Sequence, residues 1–564
     1  MAVGQALSMW FNARVPGGWT FPPFSPRKFA KWNRFPGAGI RERAVEYSKM
    51  LTATKAKLQT SAVGSEGSRT PSENALYGRW NRAVVLAVSV LLLLPCFWHQ
   101  RIEAGDLGSH VYNAWLAQLV QQGRAPGVYI VWQWDNILFD LLLFYSAKAF
   151  GLVVAQKMVV SLCVLIFFGA VFALMRAASG RAPWTLVPCI AMLTYSYIFH
   201  MGFMNYYLSL GLASLGLALV WPARRNGLIA AAILAPFILL AHPLGFLWFL
   251  GAGAYRWLWL RLQGSMRLLL PAVALAVLLG ARWFVGHHPG YEVEWRQSPF
   301  WQLNGTDQFH VFGDRYRYFS IAMGAFVLAA TTAAWLQTPG RRSFWKDRCL
   351  IMELYVICFC ATALLPENLH TDPTGGWIGA LVTRLTLVSA ILGLCWLASL
   401  PARRWYLPAM VPIAVVFFIF LYQDTGLLNR MEASAERVTR QLPFGTRTLA
   451  TIFAPNNYRT IYLHVPDRAC VGHCFLVSNY EPSTRQFRLR VQQGSPVVTA
   501  SVDDSEDMQS GTYDVQEEDL PLKQMYQCTA TDLTRICIRD LAEDEKNGRL
   551  GYHPVTNPFF TENP

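Results

Sequence analysis

A chain that strings apolar runs of membrane-crossing length together, and separates them with clusters of arginine, has few folds open to it. The run at 153–175, VVAQKMVVSLCVLIFFGAVFALM, is the clearest. Crossing the hydrocarbon core of a bilayer takes about 20 such residues. Similar runs lie at 83–98, 183–201, 203–221, 228–242, 244–260, 268–285, 319–336, 350–365, 378–400 and 405–422. Composition agrees. The 564 residues are 53% hydrophobic and only 15% charged, against roughly 25% charged in soluble domains. Mean hydropathy is +0.25.

The charges orient the chain. Of the net +14, residues 1–82 carry +9 (13 Lys+Arg, 4 Asp+Glu), residues 83–423 carry +10 (22 and 12), and residues 424–564 carry −5 (14 and 19). A uniformly basic surface would suit nucleic acid. Here the excess follows the rule that positive residues stay on the cytoplasmic side, and no nucleic-acid partner is expected. Threaded with the N-terminus inside, the inner loops hold Arg176, Arg181, Arg224, Arg225, Arg256, Arg261, Arg267, Arg341, Arg342, Lys346, Arg348, Arg403 and Arg404. All acidic residues of the region except Asp347 and Glu353 then fall outside. The segment 136–150, NILFDLLLFYSAKAF, is too short to span and would reverse that parity. It is expected to lie on the outer leaflet, with Asp140 near water.

The expected fold is therefore an all-α polytopic membrane bundle of about eleven spans, N-in and C-out, with a small C-terminal extracytoplasmic domain rich in β-structure. Residues 1–82 form a basic, disordered cytoplasmic tail with no signal pattern. Residues 83–423 form the membrane domain, with outer-surface helices at 106–150. Residues 424–564 form the outer domain, where TIYLHV and QFRLRV alternate at strand spacing. That domain holds Cys470, Cys474, Cys528 and Cys537. An oxidising compartment would make them disulfides, with three pairings open. The Cys-x3-Cys pair with His473 is the alternative, a metal site, although it lacks a second matched pair. The bacterial inner (cytoplasmic) membrane, with the C-terminal domain periplasmic or extracellular, suits this pattern.

Some polar residues sit where they are costly. Arg384, seven residues into the run after Gly376-Trp377, is expected to face a cavity, because charges inside spans cost roughly 2.5–3.5 kcal/mol. Its planar fork suits a phosphate; snorkelling to headgroups is the bland alternative. His242 precedes Pro243, where a capping role competes with a ligand role. The outer loops add His287, His288, Glu367, His370 and Asp372.

Directly after the first run comes IEAGDLGSHVYNAWLAQLVQQGRAP, carrying Glu103, Asp106 and His110. Asp106 and Ser109 are helix-starting residues, apolar positions recur at helical spacing, and Gly123 with Pro126 ends the helix. Asp106 is expected either to cap this helix or to act chemically.

An N-in first span, an acidic first outer loop, an amphipathic surface helix ending in Gly…Pro, a second surface helix and many later spans together resemble the GT-C superfamily of membrane glycosyltransferases. The resemblance covers about residues 82–422. It implies transfer of a sugar from a polyprenyl-phosphate carrier to a glycan, lipid or protein acceptor outside the cytoplasm. It implies a catalytic role for Asp106, with Glu103 second, and a phosphate-binding role for Arg384, joined by His242. The substrate loops would carry His110, His287, His288, Glu367, His370 and Asp372. The acidic spacing is E-x-x-D, which departs from the paired acids of some members; a divalent metal, Mg or Mn, is the cofactor such pairs imply. The competing expectations are a transporter or flippase for a lipid-linked solute, and a membrane-anchored assembly factor with a degenerate bundle. The chain lacks the G-x-S-x-G elbow, the Walker A and dinucleotide glycine patterns and the haem Cys-x-x-Cys-His motif.

Overall fold

The computed structural model describes residues 71–295, 304–338, 348–372, 376–452, 464–484, 486–529 and 532–547. The expected tail up to residue 70, the inner-loop residues Arg341, Arg342 and Lys346, and most of the TIYLHV segment lie outside the described residues. The chain divides into a first unit ending at Val90 and a main body from Leu91 onward. The described residues of the first unit form the start of one helix; every other element belongs to the main body.

Apolar helices form most of that body. The first helix, α1 (Pro71–Phe97), enters it with its last turns. The loop then leads to α2 (Leu107–Gln121), a short strand β1 (Val128–Ile130) and α3 (Leu138–Phe150). The long helix α4 (Leu152–Ser179) follows, then two short helices, α5 (Val187–Thr194) and α6 (Tyr197–His200). Next come α7 (Met204–Val220), α8 (Arg225–Ala241), α9 (Pro243–Arg261), α10 (Leu269–His287) and the strand β2 (Glu292–Glu294). Then α11 (Arg317–Gln337), α12 (Cys349–Leu364), β3 (Asn368–Asp372), β4 (Gly376–Ile378), α13 (Leu381–Ser399) and α14 (Tyr406–Thr439) complete the bundle. Among the described residues, five helical segments are long and apolar enough to cross a membrane: Leu152–Ser179, Gly264–His287, Asp314–Gln337, Leu381–Ser399 and Tyr406–Thr439. This is a membrane protein in architecture.

The run expected at 183–201 is not one helix. It breaks at Tyr195 and Ser196, where Ser196 takes an extended conformation and its side chain caps α6. The Tyr195 hydroxyl donates to the Leu92 carbonyl of α1 at 2.7 Å, so the break is held by a neighbouring helix.

The two ends of the bundle differ. At one end Gln156 donates to the Ile102 carbonyl (3.4 Å), His200 to the Glu103 carbonyl (3.0 Å), and Ile137 to the Leu240 carbonyl (3.0 Å). At the other, arginines close helix C-termini, where carbonyls are left without partners. Arg181 donates to Ala398 O at 2.9 Å, Arg348 to Ser399 O at 3.1 Å, and Arg256 to Trp221 O at 3.0 Å. Arg181, Arg256 and Arg348, which the charge rule collects on one side, thus all close C-termini of bundle helices.

Helix α14 continues through residue 424, where the composition changes, and carries the chain into the C-terminal domain. There β5 (Thr446–Thr451) pairs in parallel with β6 (Cys474–Leu476) and with β8 (Lys523–Gln527). Strand β9 (Ile536–Asp540) runs antiparallel to β8, completing a four-stranded sheet in the order β6-β5-β8-β9. Short helices α15 (Val465–Ala469), α16 (Tyr480–Thr484) and α17 (Val502–Ser510) accompany it. The QFRLRV segment contributes β7 (Leu489–Val491), which pairs antiparallel with β1 of the bundle's first loop. The disulfides are Cys470–Cys474 and Cys528–Cys537, one of the three open pairings and the reading preferred over a metal. They fit an extracytoplasmic domain.

Helix α2 departs from the expected surface helix. Twelve of its fifteen residues are buried, because its polar face is covered as well as its apolar one. Ser109 donates to Glu481 (2.9 Å), Asn113 pairs with Asn479 (2.7 Å), and the Tyr112 hydroxyl accepts from Leu476 N (2.9 Å). All three partners belong to the C-terminal domain. Amphipathic periodicity identifies the helix but not what covers its second face. Asp140 of α3 is likewise turned inward rather than to water, with its side chain 17% exposed.

Candidate functional site

The acidic loop is held by backbone. Gly105 N donates to His200 O (2.8 Å) and Asp106 N to Met201 O (3.0 Å). The fit needs two glycines. A Cβ on Gly105 would lie 2.3 Å from the Met201 oxygen, and Gly202, at φ +82°, would place one 2.3 Å from Asp106 N. Backbone oxygen or nitrogen cannot give way to carbon at that distance, so the loop and the 200–202 turn interlock only with glycine at both places.

Asp106 occupies the N-cap position of α2, yet its side chain makes no capping hydrogen bond. The carboxylate is instead 16% exposed and faces His464, whose Nε2 lies 3.5 Å from Oδ1. His464 is fixed from behind by Asp467, Nδ1 to Oδ2 at 3.1 Å. Burial pushes the Asp106 carboxyl above its ordinary range; His464, His110 and Arg384 pull it back. Asp106 and Arg384, 278 positions apart in sequence (384 − 106), are therefore within electrostatic reach.

Arg384 stands in the first turn of α13, one residue after Thr383. Its Nη1 donates to Gly379 O at 2.7 Å, and its guanidinium lies 4.5 Å from the centre of the Phe203 ring. Its Nε is buried and without an acceptor. The groups it senses are Tyr206, Asp106, Glu367 and Tyr480. Glu367 is anchored by Thr383, accepting from its hydroxyl at 2.6 Å and its amide at 3.2 Å. A half-satisfied guanidinium with a carboxylate nearby is suited to an anion delivered beside that carboxylate.

A second pair adjoins the first. His110 Nδ1 lies 2.7 Å from Asp140 Oδ1, and Asn205 donates to Asp140 Oδ2 at 2.7 Å. Burial alone would lower the His110 value, but Asp140, Glu481 and Asp106 raise it to about 9. Burial likewise opposes the Asp140 charge, yet His110 and Asn205 hold its carboxyl below the usual range. Glu481 is raised chiefly by burial, against the pull of His110.

Beneath lies an ion network. Arg468 Nη2 reaches Glu103 Oε2 at 3.2 Å and pairs with Glu432 of α14. Arg101 reaches the same Glu432 at 3.1 Å and pairs with Glu436. Burial and the neighbouring Glu432 push the Glu103 carboxyl up to about 8 despite Arg468. Glu103 Oε1 and His200 Nε2 are both buried without partners and border a cavity also lined by Gly108, His464 and Arg468. The cavity has room for about one water.

His242 caps α9, its Nδ1 accepting from Leu244 N at 3.1 Å, with Tyr206 edge-on to its ring; like Asp106, it is within electrostatic reach of Arg384. The other sequence candidates lie elsewhere. His287 stacks on Trp283 and His288 on Tyr291 at the end of α10. His370 is exposed on β3 opposite Glu292, and Asp372 pairs with Gly376 in the strand register. Among the described residues no group of three or more His, Cys, Asp or Glu is arranged to hold a metal ion. His464, Asp467, Arg468 and Glu481 are not singled out by the sequence. They belong to short stretches, HVPDR and NYEPS, whose one local signal is a proline opening a helix. Comparison of the chain with protein-family models, with curated proteins and with solved structures finds no match.

Proposed function

We propose that the chain is a membrane glycosyltransferase of the GT-C kind. It crosses the membrane eleven times, N-in and C-out, and moves a sugar from a polyprenyl-phosphate carrier to an extracytoplasmic acceptor. The eleven crossings count α1, α4, the broken segment 183–201 and α7 to α14 by element. Support for this threading comes from the arginines gathered at one end of the bundle and the acidic loop with its disulfide-bonded domain at the other. The inner membrane of a cell with a periplasm suits both.

One observation carries the reading. Asp106 sits where a helix cap belongs but leaves its carboxylate uncapped, part exposed, and within reach of a half-satisfied Arg384. In a single displacement Asp106 takes the proton of the acceptor hydroxyl. The acceptor oxygen bonds to the anomeric carbon, the bond from that carbon to the phosphate oxygen breaks, and the electron pair leaves with the lipid phosphate. Arg384 faces the resulting charge in a site with little water. The donor's phosphate lies in the plane of the membrane surface, where Arg384, in the first turn of its helix, can meet it. Glu103 is read as a support rather than a base, since Arg468 engages it.

The test is transfer of label from radiolabelled polyprenyl-phosphate hexoses, tried one at a time, by the full chain in lipid nanodiscs. Asp106→Asn should slow transfer by about 10²–10⁴-fold while the protein inserts and melts as the parent does. Equal rates in the two proteins would end the proposal. The break between α5 and α6 favours a second reading, a transporter of the same lipid-linked solute, because unwound helices mark transport sites. Movement of label across the bilayer without its transfer would select it.

A further inference from the structure

We propose that His464, anchored by Asp467, is the positioning residue that keeps Asp106 ionised and aimed, so that the C-terminal domain completes the site. This inference rests on the glycosyl-transfer reading above and assigns the C-terminal domain a part in it.

The geometry is that of a braced imidazole. Nδ1 donates to Asp467 at 3.1 Å, which turns Nε2 toward Asp106 Oδ1 at 3.5 Å. The ring lies beside Tyr480, with centroids 5.0 Å apart. His464 is 6% exposed and Asp467 1%, so neither can swing away into water. Backbone packing sets the approach: a Cβ on Gly108 would lie 2.1 Å from the His464 carbonyl oxygen. Helix α2 therefore comes as close to the C-terminal domain as a glycine permits, at the turn that follows Asp106.

A base with only 16% of its side chain exposed has a problem that His464 answers. Desolvation favours the neutral acid, which cannot accept a proton. A cation held at ion-pair distance opposes that. The groups around Asp106 are His110 on its own helix, Arg384 on α13, His464 and Asp467 at α15, and Tyr480 and Glu481 on α16. The three cations favour the carboxylate, and Asp467 and Glu481 oppose it. Asp467 has a second effect: with Asp106 and Glu481 it holds the imidazole in its charged form, against burial. Burial acts on both members of the pair, and the geometry makes each the other's counter-ion. In the displacement His464 keeps its own proton. Only the acceptor hydroxyl proton moves, to Asp106.

The experiment separates this inference from the reading it rests on. Infrared titration of the full chain in nanodiscs follows the carboxylic acid band that Asp106→Asn removes. It needs no substrate. His464→Gln should move the midpoint of that band upward by about 1 pH unit or more, the usual effect of losing a close opposite charge. His464→Lys should return it toward the parent value. Identical midpoints in the parent and His464→Gln overturn the inference. Should the glutamine variant not fold, His464→Asn takes its place with the same two outcomes. With an active donor, the acid limb of kcat/KM should move upward in His464→Gln while KM for the donor changes little; a limb that stays put overturns the inference. A shifted infrared midpoint with no sugar transfer from any polyprenyl-phosphate hexose would sink the transferase reading alone.

Discussion

Arg468 of the C-terminal domain reaches the Glu103 carboxylate at 3.2 Å, across 365 positions of sequence. With Glu432 and Arg101 this contact ties the first loop, the last helix of the bundle and the C-terminal domain into one buried network.

Breaking the network from the cation's side should be severe. Arg468→Met leaves Glu432, at 0% side-chain exposure, with only Arg101 as a cation, and takes from Glu103 its hydrogen-bond donor at 3.2 Å. Removing one member of a buried pair costs about 3–5 kcal/mol. A large fall in Tm in detergent is expected. Glu103→Gln should be far milder, because the carboxyl is already pushed up to about 8 and its neutral form resembles the amide. Equal losses from the two variants would contradict this account.

The His110–Asp140 pair makes stability depend on pH in two windows. His110 is raised from 6.5 to about 9 in the fold. Its contribution is complete below pH 6.5 and is lost as pH rises through about 9. Asp140 is lowered from 3.8. Its contribution is present above that value and is lost as pH falls through its lowered folded value. Thermal melts of the parent against Asp140→Asn should differ most between these windows. The gap should narrow above about pH 9.

Gly108→Ala should undo the docking of α2 on His464, since its methyl would meet a backbone oxygen at 2.1 Å. Sugar transfer should fall with the Tm. Gly169→Ala, in α4 with nothing within 4 Å of the added carbon, is the control and should leave both near the parent values.

Transfer kinetics should separate the two charged groups. Asp106→Asn is expected to lower kcat by about 10²–10⁴-fold, the usual worth of a general base. Arg384→Lys should raise KM for the donor as well as lower kcat, because a point charge cannot reproduce a planar fork. A lysine variant as active as the parent would remove Arg384 from the phosphate site.

Alkylation under denaturing conditions should label seven cysteines before reduction and eleven after it, read by intact mass. Peptide mapping should find Cys470 joined to Cys474 and Cys528 to Cys537. A crossed pairing would refute the arrangement of the C-terminal sheet around them.

Much of the bundle was legible because membrane insertion is a local matter. A window of some 20 residues carries its own apolar surplus, and the run at 153–175 emerged as Leu152–Ser179. The stop of α2 was legible too: Gly123, at φ +69°, follows its last turn as the Gly…Pro signal required. The broken run at 183–201 was not, since its composition is that of a continuous span and its break depends on a hydroxyl contact to α1. His287 and His288 drew notice by adjacency, yet each spends its ring on a neighbouring aromatic.

The membrane class, the apolar helices and their sidedness signal can be read from residue order alone, as can Asp106 and Arg384 as costly or well-placed charges, because each of these rests on free energies that neighbours in sequence supply. What surrounds those charges is a matter of folding. It covered the polar face of α2 with the C-terminal domain, left Asp106 uncapped, and set His464 and Asp467 beside it from 358 and 361 positions away (464 − 106 and 467 − 106). An ion pair between distant segments leaves no periodicity and no composition bias in either of them. It exists only once packing has brought both out of water to the same place.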